Sequence, residues 1–172
     1  MKLLSLDPSS TCIGYAVWSD SSGRMIVMEH GRLKPQKSTA DIQGRIRSLA
    51  DELAKLVVEF DPDVIVIEVM LGRQYTASGN KQRTTSLPTC AVSMGFMWRV
   101  CCGLDATTIA VDNLAWTRGR SKESRKVRAR QLCSAYDQKQ DQGGDAADAI
   151  CLGDWYIQRQ KQELVRRSTK GS

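Results

Sequence analysis

Long apolar runs are missing from this 172-residue chain: nowhere do 18 apolar residues follow one another, so no membrane-spanning helix is expected. There is a single histidine, His30, which reads as a strand residue and not as a ligand or base. The six cysteines (Cys12, Cys90, Cys101, Cys102, Cys133, Cys151) form no C-x-x-C pair and no Cys/His spacing, which excludes the common structural zinc sites. Four of them stand in apolar stretches, the pattern of reduced, buried small hydrophobes. Glycine-rich phosphate loops are absent, so no nucleotide cofactor is expected. Internal repeats and a linker are lacking too, and no signal peptide precedes the first strand. The expectation is one intracellular, cytoplasmic domain, large enough to bury roughly two thirds of its unfolded surface without metal or disulfide staples.

Positive charge, by contrast, is plentiful and unevenly placed. The formal net charge is +6 and the sequence pI about 9.1, which points to a polyanionic partner. Between Thr117 and Arg130, Arg118, Arg120, Lys122, Arg125, Lys126, Arg128 and Arg130 face one acid, Glu123. A charge run is commonly just a solvated helix face. Here its position, after a strand and before an acidic motif, favours phosphate contact. A second polar, basic stretch, Leu71–Thr85, carries Arg73, Lys81, Arg83 and one aromatic, Tyr75, between Gly72 and Gly79, as a binding loop would.

Periodicity orders the rest. Lys2–Asp7, Thr11–Trp18 and Arg24–Leu33 read as strands, the last two joined by a turn over Ser19–Gly23 in which Asp20 is a turn residue. Ile42, Ile46, Leu49, Leu53, Leu56 and Phe60 mark an amphipathic helix that Asp61-Pro62-Asp63 stops. Val64–Glu68 is an apolar β-branched run, the reading of a strand covered on both faces. Pro88 to about Cys102 is a helix apolar nearly all round, deeply buried or shared with another subunit. Ala106–Val111 is a fifth strand, Glu123–Tyr136 a helix, and Asp145 opens the last helix, with residues 159–172 a basic helix end and solvated tail. The predicted fold is α/β: a mixed five-stranded sheet, three antiparallel strands followed by strand and helix alternation, with helices on both faces.

Three acidic positions stand out. Asp7 ends the first strand, Glu68 ends the fourth, and Asp145 and Asp148, three apart, share one helix face. Singly, each has a plain explanation: a turn cap before Pro8, a strand end facing water, or acids at the positive end of a helix. Together, four carboxylates converging on a point would repel one another unless a hard divalent cation sat among them.

The motifs LSLDPSSTCIGYAV, VIVIEVM and GGDAADAICLGDW resemble, in order and spacing, the three motifs of the RuvC family of Holliday junction resolvases, within the RNase H-like and retroviral integrase superfamily. The resemblance covers residues 1 to about 157 and implies an RNase H-like nuclease domain over 1–158. It implies a magnesium-dependent endodeoxyribonuclease of DNA recombination and repair, acting as a homodimer on four-way or branched DNA junctions by paired symmetric nicks. The implied catalytic and metal-binding residues are Asp7, Glu68, Asp145 and Asp148, holding two Mg²⁺ ions, with Mn²⁺ able to substitute. Arg73, Tyr75, Lys81, Arg83, Arg118, Arg120, Lys122, Arg125 and Lys126 are the expected DNA contacts. Where the family has glycine after Asp-Pro, this chain has Ser9-Ser10; where it has a stacking aromatic three residues after the glutamate, Leu71 stands. Tyr75 then becomes the candidate to stack on an unpaired base, a contact worth ~1 to 3 kcal/mol. Ser124 occupies the place of a family lysine, for which Arg125 or Lys126 would substitute. These departures point to a divergent member, of viral or phage kind, in a prokaryotic or virus-infected cell.

Three rivals share some of these features. Actin-like ATPases and sugar kinases also set an aspartate on a hairpin, but need a second domain and adenosine contacts that are absent here. Other nucleases of the superfamily act on flaps, branched intermediates or RNA. A non-catalytic junction-binding module would have lost at least one acid, and all four are present.

Overall fold

The strand that the others flank is β1 (Lys2–Pro8). In the computed structural model, which describes residues 1–36, 41–69, 95, 97–103 and 106–170, β1 pairs antiparallel with β2 (Ile13–Ser21) on one side and parallel with β4 (Val64–Val69) on the other. β3 (Arg24–Leu33) extends the antiparallel side and β5 (Thr107–Asp112) the parallel side, giving the order β3-β2-β1-β4-β5. The expected mixed five-stranded sheet is therefore observed. The β2–β3 turn is tighter than the expected five-residue connection: only Ser22 and Gly23 lie between the strands, both with positive φ (55° and 82°), as a two-residue hairpin turn requires. Asp20 accepts from the Gly23 N–H at 2.9 Å, which confirms it as a turn residue.

Side chains alternate across the sheet, and the alternation sorts the core into two layers. Leu4, Leu6, Ile65 and Ile67 face α1 (Ile42–Phe60), meeting Leu49, Leu53, Leu56 and Val57. Leu3, Ser5 and Val66 face the opposite side, where α4 (Asp145–Lys170) lays Ala146, Ala149, Ile150 and Ile157 against them. Helix α1 starts where Asp41 accepts from the Gly44 N–H at 2.7 Å and stops at Asp61 in the left-handed region (φ 44°), before Pro62. Asp63 then aligns three strand starts: it accepts from the Lys2 N–H through its side chain (2.6 Å), donates to the Lys2 carbonyl and accepts from Thr107.

Helix α4 lies close on β1 and β2 because small groups let it. Ser5 Oγ donates to the Ala149 carbonyl at 2.7 Å, and the Trp18 indole donates to Ser5 Oγ at 3.2 Å. Any Cβ on Gly14 would collide with the Asp145 carbonyl, and one on Gly153 would collide with the Trp18 indole.

Three expectations change. The basic region is two helices, a short α2 (Asn113–Thr117) and α3 (Lys122–Leu132), split by Arg118 and Gly119 at positive φ. Helix α3 ends at Cys133, short of Tyr136, whose hydroxyl instead donates to the buried Asp141 at 3.0 Å. The last helix continues to Lys170, well beyond Ile157, where its apolar side ends. Of the expected helix from Pro88, residues 97–102 are described as helical. Met97 and Cys101 enter the α1-side core while Trp98, Arg99 and Cys102 stay outside, so Met97 belongs to this chain's own core and not to a shared surface. Cys101, Cys133 and Cys151 are buried free thiols, and His30 sits edge-on to the Tyr136 ring at 5.7 Å. No helix among the described residues is long and apolar enough to cross a membrane.

Because the Asp145 carbonyl is backbone and cannot swing away, Gly14→Ala is expected to cost ~3 kcal/mol. Thermal unfolding would show it as a midpoint lowered by roughly 6 to 12 °C. An unchanged midpoint would count against the close approach of α4.

Candidate active site

Strand parity brings the acids to one face. Asp7 follows Leu3 and Ser5 on the side covered by α4, and Glu68 follows Val64 and Val66 on that same side. Since Leu6 stands opposite Ile67 in the parallel register, the next positions, Asp7 and Glu68, are neighbours. Asp7 is also paired with Gly14, the residue against which α4 begins, so the first turn of α4 delivers Asp145 and Asp148 to the same place.

The electrostatics carry the signature of this crowding. Burial, followed by the charges of Glu68, Asp148 and Asp145, holds the Asp7 carboxyl well above the usual carboxylate range, with Lys122 pulling the other way. Burial also raises Glu68, against the two hydrogen bonds it accepts, and raises Asp148, against Arg125.

Among the described residues, three of the four acids have side-chain partners. Glu68, 4% exposed, accepts from Asn113 Nδ2 on one oxygen and from the Trp116 indole on the other, both at 2.7 Å. Asp148, 7% exposed, is gripped by Arg125 through Nε (2.6 Å) and Nη2 (3.0 Å). Asp145 accepts from the Cys12 thiol at 3.2 Å and lies 3.9 Å from Arg32. Burial and this carboxylate together push the Cys12 thiol up to about 11.

Four carboxylates are the donor set of a hard cation such as Mg²⁺, so the residues fit the ion in chemistry. As oriented, no three His, Cys, Asp or Glu side chains among the described residues are gathered around one point for a metal ion. The physical reason is on hand: Glu68 and Asp148 each have both oxygens turned onto protein donors. Collecting the set requires Asp148 to exchange Arg125 for the ion.

Of the expected DNA contacts, Arg118, Arg120 and Lys122 are exposed. Arg125 is drawn inward onto Asp148, and its Nη1 donates to the Arg120 carbonyl at 2.6 Å. Lys126 is buried and donates to the Gln142 carbonyl at 2.9 Å, tying α3 to the loop before α4 instead of meeting solvent. Arg73, Tyr75, Lys81 and Arg83 lie outside the described residues. Sequence reasoning missed Asn113, Trp116 and Arg32. The signal for the first pair was available, because Asn-x-x-Trp places two donors on one helical face just after β5, where Val111 pairs with Glu68.

A family model described as crossover junction endodeoxyribonuclease RuvC matches residues 3–84, which take in Asp7 and Glu68. The crossover junction endodeoxyribonuclease RuvC of Pelobacter propionicus is 25% identical over 169 residues, 98% of this chain and 91% of that protein, so its likeness spans Asp145 and Asp148 as well. The chain is thus similar to RuvC along nearly its whole length. Solved structures agree on the RNase H-like fold. Thermus thermophilus RuvC in complex with Holliday junction substrate superimposes with a TM-score of 0.68 at 12% identity, over 92% of this chain and 96% of that one. The yeast mitochondrial Holliday junction resolvase gives 0.67 at 15% identity, over 97% and 82%. The sheet carries the acids on the ends of β1 and β4, with the others at the start of α4, in keeping with the element ends on which the sequence sets them.

The raised carboxyls give a signed pH dependence. Above the usual carboxylate range the unfolded chain has released these protons while the folded chain keeps them, so stability falls as pH rises until the folded groups ionise too. In chelator, Asp7→Asn is expected to unfold a few degrees above wild type at neutral pH, with the gap closing on acidification. Equal midpoints at neutral pH would reject the crowding.

Proposed function

We propose that this chain is a Holliday junction resolvase of the RuvC kind: a divalent-metal-dependent endodeoxyribonuclease that cuts four-way DNA junctions by paired, symmetric phosphodiester hydrolysis. The observation that carries the reading is the convergence of Asp7, Glu68, Asp145 and Asp148 from three separate elements, with burial and then the other three charges raising the Asp7 carboxyl well above its usual range. These four would hold Mg²⁺, or Mn²⁺ in its place, which when bound supplies water activation and stabilisation of the leaving oxygen, as paired ions do.

The chain's own groups do the rest. Asn113 and Trp116 hold the two oxygens of Glu68 and so keep this buried acid satisfied and oriented at the end of β4. Arg125 grips both oxygens of Asp148 and opposes the rise that burial imposes on it, and it becomes free for a phosphate when Asp148 turns elsewhere. Lys122 is exposed yet near enough to favour the charged forms of Asp7 and Asp148, which supports a role for its cation at the scissile phosphate. Arg118 and Arg120 follow as backbone contacts, whose binding weakens as salt rises. Tyr75 remains the candidate for stacking at the crossover.

Two nicks related by symmetry call for two copies of this site, hence a homodimer. Since Met97 is internal, the outward residues of the 97–102 helix, Trp98 with Arg99 and Cys102, are the better candidates for the subunit face.

The deciding test is a panel of labelled junction, flap, fork, duplex and RNA·DNA substrates with Mg²⁺. Paired nicks at the junction, lost in Asp7→Asn, are expected; cutting that survives this substitution, or a preference for flaps or RNA·DNA, would overturn the reading. Lys122→Ala is expected to lower the cleavage rate roughly 10²-fold, the scale for losing one positioned charge-stabilising group, without moving the unfolding midpoint. In sedimentation, Trp98→Glu should shift a wild-type dimer toward monomer, and a monomeric wild type would reject the dimer.

A further inference from the structure

A groove of about 710 Å³ runs between α3 and α4, beside the acids but distinct from them. Six arginines line it, Arg118, Arg120, Arg125, Arg128, Arg159 and Arg166, against two acids, Asp154 and Glu163. Both acids are already engaged: Arg128 Nη2 donates to Asp154 at 2.9 Å, and Arg159 Nε to Glu163 at 3.2 Å. The groove therefore keeps a surplus of positive charge, with Arg118, Arg120 and Arg166 exposed. It also holds an aromatic platform, because Trp155 is part-buried in its wall with the Arg159 guanidinium 5.4 Å from the ring centroid.

The inner wall links the groove to the chemistry. Trp116 and Arg125 line it, and these same side chains hold Glu68 and Asp148 from behind, Arg125 lying 5.6 Å over the Trp116 ring. A chain leaving the acids over Arg125 enters the groove directly.

We propose that this groove is a second nucleic-acid site, which takes an unpaired DNA strand, with a base on Trp155 and its phosphates on Arg118, Arg120 and Arg166. The proposal rests on the nuclease reading of the acids and names where the strand runs beyond them. Size suits the occupant: the volume lies within the ~300 to 1,000 Å³ of clefts that enclose a drug-sized ligand, room for a short stretch of single strand. Chemistry agrees, since a basic track interleaved with an aromatic face is how single strands are held without sequence preference. A duplex would be gripped by the same arginines but could offer no base to Trp155.

Binding is measured on the full chain in chelator, so that nothing is cut, with a labelled oligothymidylate and a blunt duplex of equal length. The single strand is expected to bind more tightly than the duplex and to quench tryptophan fluorescence. Trp155→Phe removes most of that quench, and Trp155→Ala weakens single-strand binding roughly tenfold. Arg166→Glu, at an exposed position that leaves the core untouched, weakens it several-fold; Arg166→Ala lowers the salt slope by about 0.7. Equal affinity for strand and duplex, a full quench in Trp155→Phe, or wild-type binding by Arg166→Glu would each overturn the groove. Junction cutting is read separately with Mg²⁺ present: if Asp7→Asn still cuts, the nuclease reading fails while the groove result stands by itself.

Discussion

The arrangement depends on how closely α4 lies against the sheet. Protein interiors are packed densely enough that one extra methyl is felt, and at two points here there is no room for one. Gly14 faces the Asp145 carbonyl, and Gly153 faces Trp18 and Ser5. Between them Ala146, Ala147 and Ala149 are buried, and Ser5 hydrogen-bonds to a helical carbonyl in mid-span. A bulkier interface would lift the helix start, carrying Asp145 and Asp148 away from Asp7. The small residues are thus the reason that acids far apart in sequence act on each other.

Much of this was legible from sequence, for reasons that differ by element. Helix α1 has a clean apolar stripe and a proline stop, so its limits follow from local chemistry. Strand β4 is a short β-branched run, and its parity places Glu68 on a definite face once the neighbouring strands are known. The acids stood at element ends, where a charged group is otherwise hard to justify beside buried residues. What sequence hid was tertiary. The break between α2 and α3 depends on two residues at positive φ, only one of them glycine, so Arg118 gave no warning. Lys126 and Arg125 read as members of a solvated run, yet packing draws both inward, one onto a carbonyl and the other onto a carboxylate. The length of α4 was also missed, because an apolar stripe reports burial and the helix outlasts its burial.

Glu68 and Asp148 illustrate how a crowded acidic centre is kept foldable. Buried carboxylates are tolerated when their oxygens are satisfied, and here an indole, an amide and a guanidinium supply the donors. A buried ion pair such as Arg125 with Asp148 contributes little net stability, because desolvation offsets attraction, whereas removing one partner leaves an uncompensated charge. Its value lies in orientation: Arg125 joins α3 to α4 and stacks on the Trp116 that holds Glu68, so the two acids share one supporting network.

Helix α4 spans 26 residues, about 39 Å at its standard rise, and among the described residues none after Ile157 is buried. Over that outer half, helicity rests on local terms such as the Arg159–Glu163 pair, and an isolated helix this short is marginal in water. Opening will therefore begin at the far end and travel inward, so backbone amides should exchange on a gradient that steepens toward the alanines under Asp145. Under the proposed function, the protein joins a rigid seat for the acids to a compliant arm, one that would yield to a nucleic acid of variable shape.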